Sequence, residues 1–241
     1  MKIKLISATV LLICVNVIFG QPSNWFGDLT TQGNTSFVDA PLNDRVTVRS
    51  TQPMQALVSK ANAKFLYTTS PGVWVPKWVG STTNFARALN SRLTGADAAF
   101  IFNSGSWDRD LEVSITQGKY YTFLIGKNSD ANNDISILET SYFPSDIESV
   151  TQDNYMVQSG QSVTILANLS QPLSSGEYCF LRYSADNWTT SALVNMNLQS
   201  ANIYSATIPG FPTDTVVSYY VFTSNQTTPN PNDIDYLTLK I

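Results

Sequence analysis

The 241-residue chain predicts an all-β protein of two β-sandwich domains, and three observations lead there. Charged residues make up only 13% of the chain, against about 25% in an average globular protein. Ser, Thr, Asn and Gln stand in their place, beside many β-branched and aromatic residues, which suit a pleated, half-buried surface. Segment after segment alternates apolar and polar residues with a period of two, and Gly-, Pro- and Asn-rich stretches punctuate them.

The first element is a leader. Residues 1–20, "MKIKLISATVLLICVNVIFG", carry Lys2 and Lys4, then an apolar run from Leu5 to Phe19, then Gly20, which is the pattern of a secretory signal peptide. The run is shorter than the roughly 20 residues that span a bilayer, and Ser7, Thr9 and Asn16 interrupt it. Ile13 occupies the place where a lipid-modified Cys14 would want a small residue. No other apolar run is long enough to enter a membrane, so the expectation is a secreted or cell-surface protein without a membrane span. Losing Lys2 and Lys4 moves the formal net charge from −4 to −6. Such a surface repels phosphate backbones, so no nucleic-acid partner is expected. Without Cys14, Cys179 is a single thiol, and an intrachain disulfide is excluded.

Residues 21–147 form the expected N-terminal sandwich. Candidate strands are "RVTVRS", "KFLYTT", "AAFIFNS", "DLEVSIT", "KYYTFLIGK" and "DISILETSYF". The last two flank "GKNSDANND", whose Gly, Asn and Asp residues favour a long hairpin turn. "TNFARALNSRL" places Phe85, Leu89 and Arg92 at helical spacing and predicts a short helix. An exposed connection is read at Ser141–Asn154, where Pro144 stands in an acidic, polar run.

Residues 148–241 carry the clearest periodicity. In "SVTILANL", Val163, Ile165, Ala167 and Leu169 share one face; in "YCFLRY", Cys179, Leu181 and Tyr183 alternate against Tyr178, Phe180 and Arg182. "NIYSATI", "TVVSYYVFTS" and "DIDYLTLKI" follow the same rule, and short strands at "YMVQ" and "ALVNMN" bring the count to about seven. Seven short antiparallel strands within a hundred residues indicate an immunoglobulin-like sandwich.

The run "LRYSADNWTTS…VNMN…YSATIPG…VSYYVFTSN" resembles the immunoglobulin- or fibronectin-like domains attached to secreted bacterial glycoside hydrolases, and a similar run occurs in starch-binding modules. The resemblance covers about Val150–Ile241. It implies that the tryptophan after the "S-x-D" turn, Trp188, caps the sandwich. "WFGDLT", "SGSWD", "GKYYTFLIG" and "ISILETSY" are similar to the β-sandwich that stands beside such a domain.

The chain contains no histidine. That removes Ser-His-Asp triads, Cys-His pairs and ordinary zinc sites, and leaves a carboxylate pair as the remaining route to hydrolysis. Asp108, Asp110 and Glu112 in "WDRDLE" stand at period two on one strand face. Such a row is more often a wet face balanced by Arg109 and Lys119 than an active site. Asp130, Asn132 and Asp134 in "DANND" offer hard oxygen ligands that would suit calcium, without the glycine and distant glutamate of an EF-hand. No other cofactor is expected. The sequons at Asn34, Asn168, Asn187 and Asn225 arise as readily by chance in so Asn- and Thr-rich a chain.

The tryptophans carry the main functional expectation. Trp25, Trp74, Trp78 and Trp107 lie in the first domain and Trp188 in the second. Trp74 and Trp78 in "VWVPKWVG" would share one side of an extended strand about 13 Å apart, with Pro76 marking an edge or a loop. Exposed, they would stack on sugar rings; buried, they would fill the core. The expected function is that of a non-catalytic carbohydrate-binding accessory protein. Polysaccharide, α-glucan first, is its partner, alongside other secreted glycan-degrading proteins. The competing expectations are a structural or adhesive spacer and a glycoside hydrolase using acidic residues of the first domain.

Overall fold

The computed structural model describes residues 24–27, 35–40, 47–50, 53–68, 77–80, 86–94, 100–103, 111–126, 134–230, 233–234 and 237–241. Side chains are described at 53–65, 87–94, 111–125 and, within those ranges, from 134 onward. The leader at residues 1–20 lies outside them. The described residues are all-β and divide into two compact units between Phe143 and Pro144.

The N-terminal unit contains β1 (Asn24–Gly27), β2 (Thr35–Ala40), β3 (Thr47–Ser50), β4 (Met54–Gln55), β5 (Lys60–Thr68), β6 (Lys77–Gly80), β7 (Ala86–Arg87), β8 (Phe100–Asn103), β9 (Leu111–Ile115), β10 (Tyr120–Gly126) and β11 (Ile135–Thr140). They form one connected sheet with the order β11-β10-β3-β2-β1-β5-β6-β8, to which β4, β7 and β9 are attached. The sheet packs back on itself. Phe65 of β5 meets Phe123 of β10 with ring centroids 5.2 Å apart, and Leu111, Val113 and Ile115 of β9 join Tyr121, Ile125, Ile135 and Ile137 in the same core. The β10–β11 hairpin read from the sequence is present, in antiparallel register from Tyr120↔Thr140 to Ile125↔Ile135.

The helix expected in "TNFARALNSRL" is corrected. Ala86 and Arg87 form β7, paired parallel with β9, and the chain then runs along β11. Leu93 and Ile135 exchange both backbone hydrogen bonds, at 2.8 and 3.1 Å. Asn90 takes a left-handed φ of 59°, accepts a bond from Glu139 N on its Oδ1 at 2.8 Å, and donates its own N–H to Ile137 O at 2.9 Å. Pairing with the hairpin edge satisfies the backbone groups that a helix would have satisfied internally.

The C-terminal unit contains β12 (Ile147–Gln152), β13 (Val163–Leu169), β14 (Tyr178–Ser184), β15 (Ala192–Asn195), β16 (Asn197–Ser200), β17 (Ile203–Ile208) and β18 (Ser218–Ser224). One sheet has the order β12-β13-β17-β16 and the other β15-β14-β18. In sequence terms the four-stranded sheet is the A-B-E-D layer of an immunoglobulin-like sandwich, and β14 and β18 are its C and F strands. Residues after 237 make only a short last-strand contact, the Thr223↔Lys240 bridge. Between the sheets lie Val163, Ile165, Ala167, Leu169, Cys179, Leu181, Tyr204, Ala206, Ile208 and Val221, the alternation predicted for β13 and β14.

Two details differ from the sequence reading. The first strand is β12, inside the stretch read as a connection, and "YMVQ" forms no strand: Tyr155 and Met156 are exposed. The pattern of β12 is mostly exposed, so an edge strand wet on both faces shows no alternation. "ALVNMN" is two strands in different sheets. Buried Met196, whose N–H bonds Cys179 O at 2.8 Å, is the crossing point.

Candidate functional site

The best-defined polar and aromatic constellation is on the outer face of the three-stranded sheet. While Cys179, Leu181 and Tyr183 of β14 face the inter-sheet core, Phe180 and Arg182 point the other way. Phe180 stacks on Phe222 of β18 at 5.5 Å and 26°. Phe222 meets Tyr220 at 5.9 Å, and Tyr220 meets Trp188 at 5.4 Å and 45°. Four rings thus climb the outer face and end at the half-buried indole. Ile234, Leu193 and Ile241 cover the lower end. Arg182 lies across the upper end, its guanidinium carbon 5.7 Å from the Trp188 centroid. It donates from Nη1 to Tyr220 Oη at 2.9 Å and from Nε to Ser191 Oγ at 3.0 Å.

Trp188 reaches this place through an unusual turn. Asn187 and Trp188 both have left-handed φ values, 55° and 68°, which cost an L-residue roughly 1–2 kcal/mol each and are uncommon for a bulky side chain. Buried Ser184, the last residue of β14, offsets this by accepting on its Oγ from Trp188 N at 2.8 Å and donating to Asp186 Oδ1 at 2.8 Å. Asp186 closes the turn from the other side. Its carboxylate accepts from Thr190 N at 2.9 Å and from Thr190 Oγ1 at 2.7 Å. The Thr190 hydroxyl, the Thr190 amide and the Ser184 hydroxyl together hold the Asp186 carboxyl below the usual carboxylate range.

An indole fixed with part of its surface in water, beside a guanidinium and two hydroxyls, provides stacking and hydrogen bonding. Of this constellation the sequence reading names Trp188 and leaves out Arg182, Tyr220 and Ser191. The signal for the first two was the two-residue step itself, which puts Phe180 and Arg182, and Tyr220 and Phe222, on the same outward face.

The other predicted residues are distributed as follows. Trp25 and Trp78 are described as backbone positions. Both are register partners of Tyr67, and Trp78 also pairs with Phe102. An aromatic rung, Trp25–Tyr67–Trp78–Phe102, therefore crosses β1, β5, β6 and β8; at the usual strand spacing it is about 14 Å long. Trp74, Trp107, Asp108, Asp110, Asp130 and Asn132 lie outside the described residues. Glu112 is buried on β9, with Lys64 4.0 Å away. Asp134 accepts from Arg92 Nε at 2.9 Å and also pairs with its Nη2. Among the described residues there is no cluster of metal-ligating side chains. Among them, too, no helix is long and apolar enough to cross a membrane.

No protein-family model matches the chain, and no curated protein matches it in sequence. Among solved structures it is similar to the FN1–FN3 domains of chicken CNTN1, at 11% identity over 86% of this chain and 93% of that one, with a TM-score of 0.24. A likeness of that size assigns neither fold nor function, and the strand order given above carries the immunoglobulin-like assignment.

Proposed function

We propose that the protein is a secreted, non-catalytic carbohydrate-binding accessory, with Trp188 as a stacking platform held by buried Arg182 and with Tyr220 and Ser191 as hydroxyl-bearing neighbours. The observation that carries this reading is the turn at Asn187–Trp188. Two left-handed residues are held in place by Ser184, Asp186 and Thr190, and the result is a half-buried indole at the open end of an aromatic ladder. Strain persists where the surroundings over-determine it, and such outliers cluster at ligand sites. Affinity electrophoresis of the mature protein through gels containing soluble starch, β-glucan or xylan tests the proposal. Retardation in at least one gel, reduced by Trp188→Ala, is expected; unchanged mobility in all of them contradicts it.

The second reading is a structural or adhesive spacer, and the packing of Trp188 on Tyr220 and Arg182 favours it. On that reading Trp188→Ala lowers stability and changes no interaction with glycan.

A further inference from the structure

The C-terminal unit shows charge of one sign. Between residues 144 and 241 the basic side chains are Arg182 and Lys240, and both are buried, at 5% and 3% exposure. Glu177 is buried too, whereas Asp146, Glu148, Asp153, Asp186 and Asp214 are exposed. At one end of the sandwich this anionic surface borders a mostly apolar groove. The groove lies between the β12–β13 loop, which supplies Val157, and the β17–β18 loop, which supplies Pro209, Phe211 and Pro212. Met156, 85% exposed, precedes Val157 on the first loop, and Val216, 53% exposed, stands on the second between two lining residues. Exposed apolar side chains gathered around a groove mark contact surfaces. Each loop also carries an exposed carboxylate. Asp153 accepts on Oδ1 from Thr164 N at 3.0 Å, next to the lining residue Val163. Asp214, with a φ of 66°, sits in the turn that Thr215 N closes on Pro212 O at 3.3 Å. The walls are already fixed: Gly160 N donates to Phe211 O at 2.9 Å from one loop to the other, and the Phe211 ring meets Tyr183 edge-on with centroids 6.2 Å apart.

From this placement we infer that the groove docks a basic polypeptide segment, with an apolar side chain seated between the two loops and a Lys or Arg on either side of it paired with Asp153 and Asp214. Charge decides the occupant. The lining residues carry none of their own, so the seat takes an apolar group. The carboxylates on both loops attract cations beside it, and the other exposed acids of the unit add a field of the same sign. A second copy's C-terminal unit offers no exposed cation among its described residues and is repelled. Exposed ion pairs are weak singly and are screened by salt. The acids therefore select the partner and speed its approach, and the apolar seat holds it. Walls fixed in advance lose little freedom on docking. This contact is separate from the stacking face of Trp188 and stands whether or not that face takes sugar.

The test is an NMR titration of the isotope-labelled full chain with three synthetic peptides, Lys-Lys-Leu-Lys-Lys, Glu-Glu-Leu-Glu-Glu and Lys-Lys-Gly-Lys-Lys. The first should shift the amide resonances of Val157, Gly160 and Thr215 to saturation, and raising NaCl from about 20 mM to about 300 mM should weaken it about tenfold. The acidic peptide should not bind, and the glycine peptide should bind about tenfold more weakly than the first. Asp153→Asn keeps an oxygen for Thr164 N, and Asp214→Asn keeps a residue that tolerates the left-handed turn. The double variant therefore keeps the fold and should lose about tenfold in affinity for the first peptide. No shift with Lys-Lys-Leu-Lys-Lys overturns the proposal, as does equal binding of the acidic peptide or unchanged affinity in the double variant. Equal binding of the glycine peptide reduces the site to general charge attraction and overturns it too. Shifts of the same amides on concentrating the protein alone make the occupant a second copy, which also overturns it.

Discussion

Asp186 and Glu177 show how differently two carboxylates act within one small sandwich. Asp186 is exposed, and its Thr190 and Ser184 bonds hold its folded pKa below the usual range. A depressed acid contributes stability above its ordinary pKa and loses it as the pH falls through the folded value. Wild-type protein should therefore lose stability on acidification through this residue while Asp186→Asn does not, as compared by urea unfolding at about pH 7 and about pH 3. Burial pushes the Glu177 carboxyl up, against the opposing pull of the Ser145 and Ser174 bonds. The sign reverses: its folded state holds the proton more tightly, so stability is greatest in acid and is lost as the pH climbs through the raised value. Glu177→Gln should therefore gain on the wild type as the pH rises from about 4 to about 7. Trp188→Ala removes an aromatic pair and part of a cap, and should cost the C-terminal unit about 1–3 kcal/mol by the same unfolding measurement.

At the scale of elements, the loop between β12 and β13 and the loop before β18 meet backbone to backbone. Gly160 has φ +76°, and a Cβ added at Gly210 would stand 2.1 Å from the Gly160 carbonyl oxygen; Gly160 N also bonds Phe211 O at 2.9 Å. Gly210→Ala must push the two loops apart and should destabilise by about 1–3 kcal/mol, read as a lower thermal midpoint of the C-terminal unit. The sequence does not show this approach, because only the fold brings Gly160 to Gly210. Legibility followed burial. β13, β14, β17 and β18 each have one face in a core, and their alternation was plain. β12 has neither face fully buried and was read as a connection, while Met196 crosses between sheets and joined two strands into one. The Phe85–Arg92 spacing was overruled by pairing with β9 and β11. Trp188 was legible from a turn motif, whereas buried Lys240 and Glu177 were not, since a charged residue in sequence reads as a solvated one.

At the scale of the molecule, the absence of histidine leaves binding, structure or a carboxylate pair as the expectations, and both units are all-β. Buried Cys179 fits a protein held by packing; burial, with a smaller contribution from Glu177, pushes its thiol up to about 12. The mature chain should therefore resist thiol-labelling reagents at neutral pH and release one equivalent on denaturation. The most direct measurement of the binding reading is an NMR titration of isotope-labelled protein with soluble glucan, following the Trp188 indole Nε1–H resonance, assigned through Trp188→Phe. The account predicts a shift that grows to saturation as glycan is added. An indole signal that stays still with α-glucan, β-glucan and xylan alike would contradict it.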